Sequence, residues 1–552
     1  MLTDAVSLNR SDVPMVGSKS PSTSTRKQPT AVEASAVRHL VLVLGDQLDE
    51  RSAAFDQFDP KADVVWMAEV VEEATHVWCH QLRLVSFFSA MRHFRDRLTA
   101  GGWTVDYHEL QQTAAGPEES SFASRLRASV HRHRPQRLIV VQPGDFRVLN
   151  QLQQTARDVQ IPLEVRGDRH FYVPLGSFSR WAEGRKRLVL EHFYQEQRKT
   201  QRLLVDAAGK PLGGQWNFDT ENRGSFGKSG PTALPGVPRF TPDALTRDVQ
   251  RLVAARFADH PGRSDEFDLP VRREDALELL DDFITHRLPW FGQYQDAMWS
   301  GTIELYHSRL SHALNLKLLN PREVVGAAVT AYEAGHASLP NVEGFVRQIV
   351  GWREYVRGIY WQFMPEYEQR NALQCADLEV PKAFWTGDTE MACVRDSMHL
   401  VLRKAYAHHI QRLMVLGLYA QLLGVHPLRF HRWHMAMYAD AIDWVSLPNT
   451  LGMSQHGDGG LMATKPYCAS GKYVQRMSNY CSACRFRPDQ ATGEQACPLT
   501  TLYWNFLDRH AERFARNPRM VMQVKNLNRL SSSDRTAIAR QAEQHRDRAT
   551  RP

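Results

Sequence analysis

The run His39-Leu40-Val41-Leu42-Val43-Leu44-Gly45-Asp46-Gln47-Leu48 decides the fold of the first third of the chain. An unbroken apolar stretch this short, closed by Gly-Asp, reads as a buried strand ending in a turn. The same signal recurs at Val64–Val70, Trp103–Tyr107, Leu138–Val141 and Pro162–Val165. Between these strands lie helical patterns. One runs from about Trp78 to Leu98, with Leu82, Val85, Phe88 and Met91 at helical spacing and Gly101-Gly102 after it, and another from Val148 to Arg157. Strands alternating with helices predict a parallel, doubly wound sheet. Ligands of such sheets bind outside the carboxyl ends of the strands, which is where Asp46 and Glu73 fall. No G-x-G-x-x-G follows the first strand, so an ordinary dinucleotide site is not expected there.

From Phe171 to Pro270 Gly, Pro and basic residues dominate, and the expectation is an irregular connector. Beyond Val271 the periodicity turns helical, over 273–285, 321–334, 341–357, 398–423, 427–445 and 498–517. The predicted organisation is a disordered Ser/Thr/Lys/Pro tail (1–37), an α/β domain (38–170), a linker (171–270) and an all-helical domain (271–552). The formal charge is 68 − 61 = +7, compatible with a polyanionic partner but no proof of one. The most apolar helical stretch, Leu413–Val425, is too short to span a bilayer. With no secretory signal and an odd number of unevenly placed cysteines, the chain reads as a soluble, cytoplasmic protein, and a monomer is expected.

Cys481-x-x-Cys484 is followed after twelve residues by Cys497-Pro498. Two thiolates three residues apart can grip one centre, a third closes it, and Cys393 is the candidate fourth ligand. Four thiolates suit tetrahedral zinc or an iron–sulfur cluster, and the spacing leaves both open. Buried free thiols are the plain alternative.

The helical half contains His307-Ser308-Arg309-Leu310-Ser311-His312-Ala313-Leu314-Asn315, which resembles the T-S-x-L-S-P-Y-L segment of photolyases and cryptochromes. Asn341 to Tyr355, with Gly351-Trp352-Arg353-Glu354-Tyr355, resembles their F-x-R-x-I-x-W-R-E-F helix. Leu44–Leu48, Phe291–Met298, Trp444–Gln455 and the four cysteines resemble the bacterial iron–sulfur branch, the deoxyribodipyrimidine photolyase-related family with its prokaryotic (6-4) photolyases and bacterial cryptochromes.

That resemblance implies FAD, a [4Fe–4S] cluster on Cys393, Cys481, Cys484 and Cys497, and a 6,7-dimethyl-8-ribityllumazine antenna near Asp46 and Glu73. The last two residues read equally as turn or cap residues. Ser308, Leu310 and Ser311 would serve the flavin diphosphate with the helix they open, although Ser308 and Ser311 also read as plain N-caps. Arg353 and Arg412 are the candidate cations. Arg412 would pair with a carboxylate beside the isoalloxazine ring, either Asp440 or Asp443, and Asn449 would lie near N5. His408-His409, read as neighbours on one helix, are the candidate proton carriers for a (6-4) lesion. Trp433 and Trp385, with Tyr473 beyond, would relay electrons, but His434 stands where the branch tends to carry Tyr.

The leading expectation is an enzyme that repairs (6-4) photoproducts in UV-damaged DNA by light-driven electron transfer. A signalling cryptochrome shares these features. A zinc-stabilised nucleic-acid-binding module explains the cysteines and the charge but not the two flavin-type helices.

Overall fold

In a computed structural model the described residues are 37–113, 116, 120–232 and 234–550. The tail expected over 1–37 lies, Val37 apart, outside them. Five parallel strands, β1 (His39–Leu42), β2 (Asp63–Ala68), β3 (Val105–His108), β4 (Arg137–Val141) and β5 (Leu163–Arg166), form one sheet in the order β3-β2-β1-β4-β5. Successive side chains of a strand point to opposite faces, and both faces here are buried. Leu40, Leu42, Val64 and Trp66 pack under the helices Phe122–His133 and Phe146–Asp158. Val43, Val65 and Met67 pack against the helix Gln81–Ala100. Each such side chain stabilises the fold by roughly 1.5–3 kcal/mol relative to exposure. Trp66 donates its indole N–H to Ser129 Oγ at 3.1 Å, which ties the sheet to its covering helix.

From Leu175 onward the chain is helical. The stretch expected to be irregular holds three helices, Leu175–Ala182, Leu190–Gln201 and Ala244–Arg256. The first two bury Phe178, Trp181, Phe193 and Tyr194, and the third buries Val249, Leu252 and Val253. The many Gly and Pro residues there punctuate the gaps between helices rather than the helices themselves.

The single helix expected over 398–423 is broken. Ala392–Lys404 ends at Ala405, whose φ of +47° is left-handed. The chain resumes only at His409, with His408 in an extended conformation at ψ 161°. Gln411 caps the restart, its Oε1 accepting the His408 N–H at 3.2 Å. His408 and His409 are therefore a cap and a first helical residue, not neighbours on one helix. The helix expected over 427–445 also breaks, between Pro427–Met437 and Asp443–Leu447. Arg83 of the α/β layer donates to the freed carbonyls of Tyr438 and Ala441 at 3.2 and 2.5 Å, and the His80 N–H donates to the Ala436 carbonyl at 2.8 Å.

Burial pushes the imidazoles of His80 and His312 down to about 4. A folded-state value below the unfolded one, near 6.5, means that unfolded chains take up protons first as the pH falls. Stability is thus complete above pH 6.5 and declines toward pH 4, by about 1.4 kcal/mol per pH unit for each such histidine. The urea midpoint should fall steadily between pH 7 and pH 5, and a flat profile would show that these imidazoles take up protons in the folded state.

Candidate active site

The break between Met437 and Asp443 delivers Asp440 to Arg412. The guanidinium makes a two-pronged contact, Nη1 to Oδ1 at 2.9 Å and Nη2 to Oδ2 at 3.1 Å. Ser311 donates its hydroxyl to the same Oδ2 at 2.6 Å, and Asn315 Nδ2 donates to the Asp440 carbonyl at 2.7 Å. Ser311 is therefore committed to a carboxylate, not to a cap. Burial alone would raise the Asp440 pKa, but Arg412 and Ser311 reverse this and hold it at about 2. Tyr438 lies 4.0 Å beneath the Arg412 guanidinium. Asp443 takes other partners, His431 Nε2 at 2.9 Å and the Tyr360 hydroxyl. Of the two candidate carboxylates, Asp440 is the one paired with Arg412.

Imidazoles surround this pair. His307 and His408 stack with centroids 4.3 Å apart and planes 11° from parallel. His307 is fixed by the carbonyls of Glu304 and Gln295, both at 3.0 Å. Both ring nitrogens of His408, both of His312, Nδ1 of His434 and the Tyr438 hydroxyl are buried without a hydrogen-bond partner. So many unsatisfied polar atoms around one ion pair are costly unless a ligand satisfies them. A large, flat, polar ligand such as a flavin fits that set. Burial lowers the His408 pKa well below the usual value, helped by His307, His409 and Arg412, and lowers that of His409 to about 4. The His409 residue, unlike His408, is exposed.

Other expected residues bond elsewhere. Ser308 Oγ accepts only the Leu310 N–H, at 3.3 Å, and Asn449 Nδ2 donates to the Val445 carbonyl at 2.8 Å. Arg353 faces the junction with the sheet, 4.1 Å above Phe171 and 5.0 Å from Trp444. Trp433 is buried and donates to the Phe384 carbonyl at 2.9 Å, next to Trp385. Tyr473 lies elsewhere, under Arg476 at 5.6 Å.

Asp46 and Gly144 end the adjacent strands β1 and β4, where the strand order reverses, and this is the place where such sheets bind ligands. A Cβ on Gly144 would fall 2.3 Å from the Asp46 carboxylate. Glu73 accepts from Arg147 at 3.0 Å, and Asp145 follows Gly144. Arg147 and Asp145 were not singled out in the sequence, because nothing local distinguishes them from ordinary residues of a helix start.

Cys393, Cys481, Cys484 and Cys497 line one small cavity. A Cβ on Gly471 would lie 2.7 Å from Cys497 Sγ, so the glycine keeps that space open. Burial pushes the Cys393 thiol up, and the neighbouring sulfurs of Cys497, Cys481 and Cys484 push it further. Among the described residues no group of three or more His, Cys, Asp or Glu side chains is placed to hold a single metal ion.

Asp440→Ala should leave Arg412 buried and uncompensated. Loss of one partner of a buried pair costs about 3–5 kcal/mol, so the unfolding midpoint should drop sharply and the purified variant should hold little flavin. Wild-type stability with full flavin would show that the pair is incidental.

A five-stranded parallel α/β layer bonded to a helical body is the fold of a photolyase. A bacterial class III photolyase crystal structure from Agrobacterium tumefaciens matches the fold with a TM-score of 0.51 at 17% identity, over 82% of this chain and 88% of that one. The family model for deoxyribodipyrimidine photo-lyase-related protein matches residues 41–269. A protein of Agrobacterium fabrum (strain C58) named (6-4) photolyase is 42% identical over 497 residues, 90% of this chain and 96% of the relative. The chain belongs to this deoxyribodipyrimidine photo-lyase-related family. Membership implies FAD. No helix among the described residues is long and apolar enough to cross a membrane.

Proposed function

We propose that the chain is a light-dependent (6-4) photolyase. The observation that carries this reading is His408, with both ring nitrogens unpartnered, stacked on His307 beside the Arg412–Asp440 pair. FAD, reduced and excited by light, supplies one electron to the lesion and takes it back. The residues do the rest. Arg412 and Asp440, locked to each other and to Ser311, present a fixed charged edge to the flavin ring. Repair of a (6-4) lesion also returns a hydroxyl or amine from one base to the other, so a proton has to move. A neutral imidazole has one N–H to give and one nitrogen to receive. His408 holds both unengaged, His307 fixes the plane of its ring, and His409 faces the open side. The cryptochrome reading shares the cofactors but gives this unpartnered imidazole no task.

The four cysteines would hold a [4Fe–4S] cluster. What supports a centre there is that all four cysteines line one cavity, and four thiolates suit a [4Fe–4S] cluster. Asp46, with Glu73, Arg147 and Asp145, would hold the ribityl and ring polar groups of a lumazine antenna. Trp433 and Trp385 would relay electrons to the flavin, and the enzyme would work as a monomer.

DNA would dock at the rim beside His307. There Phe226 stacks on Tyr294 at 4.6 Å, Tyr294 on Tyr306 at 5.4 Å, and exposed Trp290 stands 6.3 Å from Tyr306. Splayed bases stack on such faces, at about 1–3 kcal/mol per base. Purified protein should release FAD on denaturation and bind a (6-4) duplex more tightly than an undamaged one, with affinity for either falling steeply with salt. Tyr294→Ala should weaken lesion binding by about 1–3 kcal/mol. Equal affinity for damaged and undamaged duplexes would contradict the reading.

A further inference from the structure

A relay that ended at Trp385 would end on a half-buried side chain. The aromatic contacts continue past it. Tyr438, under Arg412, lies 5.8 Å from Trp433, and Trp433 lies 4.9 Å from Phe384. The next residue, Trp385, has its ring 5.4 Å from that of Trp78 at a 46° tilt. Trp78 is 45% exposed, one of four large apolar side chains so exposed among the described residues. It belongs to the α/β layer, yet its contact is with the helical body. Its mount is rigid. Cys79 and His80, the next two residues, are wholly buried, and His80 Nε2 bonds the Leu402 carbonyl at 2.9 Å. A rigidly held tryptophan facing water adds little to a core, but it is where an electron vacancy can leave a protein.

We propose that Trp78 is the solvent-side terminus of the relay, which therefore runs Trp433–Trp385–Trp78 and crosses from the helical body into the α/β layer. This rests on the reading of the pocket as a flavin site. Electron transfer falls steeply with the gap between rings, so short hops between neighbouring rings outpace one long jump. The oxidant is light-excited oxidised flavin, which takes one electron from Trp433. Trp385 refills Trp433, and Trp78 refills Trp385. Trp78, one electron short, loses its indole N–H proton to water. A thiol of the solution then returns one hydrogen atom, restoring the indole and leaving a thiyl radical. Trp78 acts only in recharging the flavin and touches neither lesion nor cofactor.

Full-length Trp78→Phe and Trp78→Leu should keep wild-type FAD content and wild-type repair after chemical reduction of the flavin. Their photoreduction with a thiol should slow several-fold, and the tryptophan radical seen by transient absorption should decay faster by return to the flavin. Illumination of wild-type protein in air without thiol should place added oxygen on Trp78 in peptide mass spectra. Trp433→Phe is the control. If it slows photoreduction while both Trp78 variants match wild type in rate and radical lifetime, the terminus is elsewhere and the proposal fails alone. If Trp433→Phe also matches wild type, the relay reading fails and takes the proposal with it.

Discussion

Light-driven repair of a (6-4) lesion should fall by roughly 10²–10⁴-fold when His408 is replaced by Ala, the usual worth of a positioned proton carrier. FAD content, photoreduction and lesion binding should stay close to wild type, since no protein group depends on either ring nitrogen of His408. His409→Ala should keep the same three properties. Its effect on repair should be of similar size if this exposed ring also exchanges protons with the lesion, and small if it only lines the approach. At least one of the two variants should lose repair. Multiple-turnover repair of a defined (6-4) oligonucleotide, with flavin fluorescence as the loading check, reads this directly. Wild-type yield in both would make the pair structural and place the proton source elsewhere.

The second large effect concerns the cysteines. Cys481→Ala should remove essentially all iron and the broad visible absorbance of a cluster, because three thiolates cannot complete the centre. It should also reach the active site. Tyr480 lines the cysteine cavity and accepts from Gln411 Nε2 at 2.9 Å, while Gln411 Oε1 caps the His408 N–H at 3.2 Å. A collapsed cavity loosens the cap that sets the His408 ring, so lower thermal stability should come with reduced repair. Cys79→Ser, Cys375→Ser and Cys468→Ser should keep their iron. Stoichiometric zinc without iron in anaerobically purified wild type would contradict the cluster.

The sheet was legible because buried parallel strands leave unbroken apolar runs, and Leu40–Leu44 and Leu138–Val141 carry that signal with little noise. The helix Phe122–His133 was missed, since its buried Phe122, Leu126 and Val130 stand among five Arg and His residues that mask the period. The connector helices were missed because Gly and Pro between them outweighed the aromatics within them. At the site, residue types were readable and their geometry was not. Periodicity runs straight through Ala405 and Tyr438, where backbone breaks bring His408 and Asp440 into place. Those breaks depend on Gln411 and on Arg83, the latter more than three hundred residues away in the chain. The choice between Asp440 and Asp443 likewise needed the tertiary contacts to Arg412, His431 and Tyr360. His307 lay within a motif already quoted, but its stacking on His408 is invisible in one dimension.

If this pocket repairs (6-4) photoproducts with light, a defined lesion must return to normal bases under illumination. The most direct test illuminates the purified protein, with its flavin reduced, on an oligonucleotide carrying one defined (6-4) lesion, beside a second carrying a cyclobutane dimer, with dark controls. The prediction is light-dependent return of the (6-4) site to two intact pyrimidines, with the dimer left unrepaired. An unchanged (6-4) lesion under light that visibly cycles the flavin would contradict it and make the protein a photoreceptor.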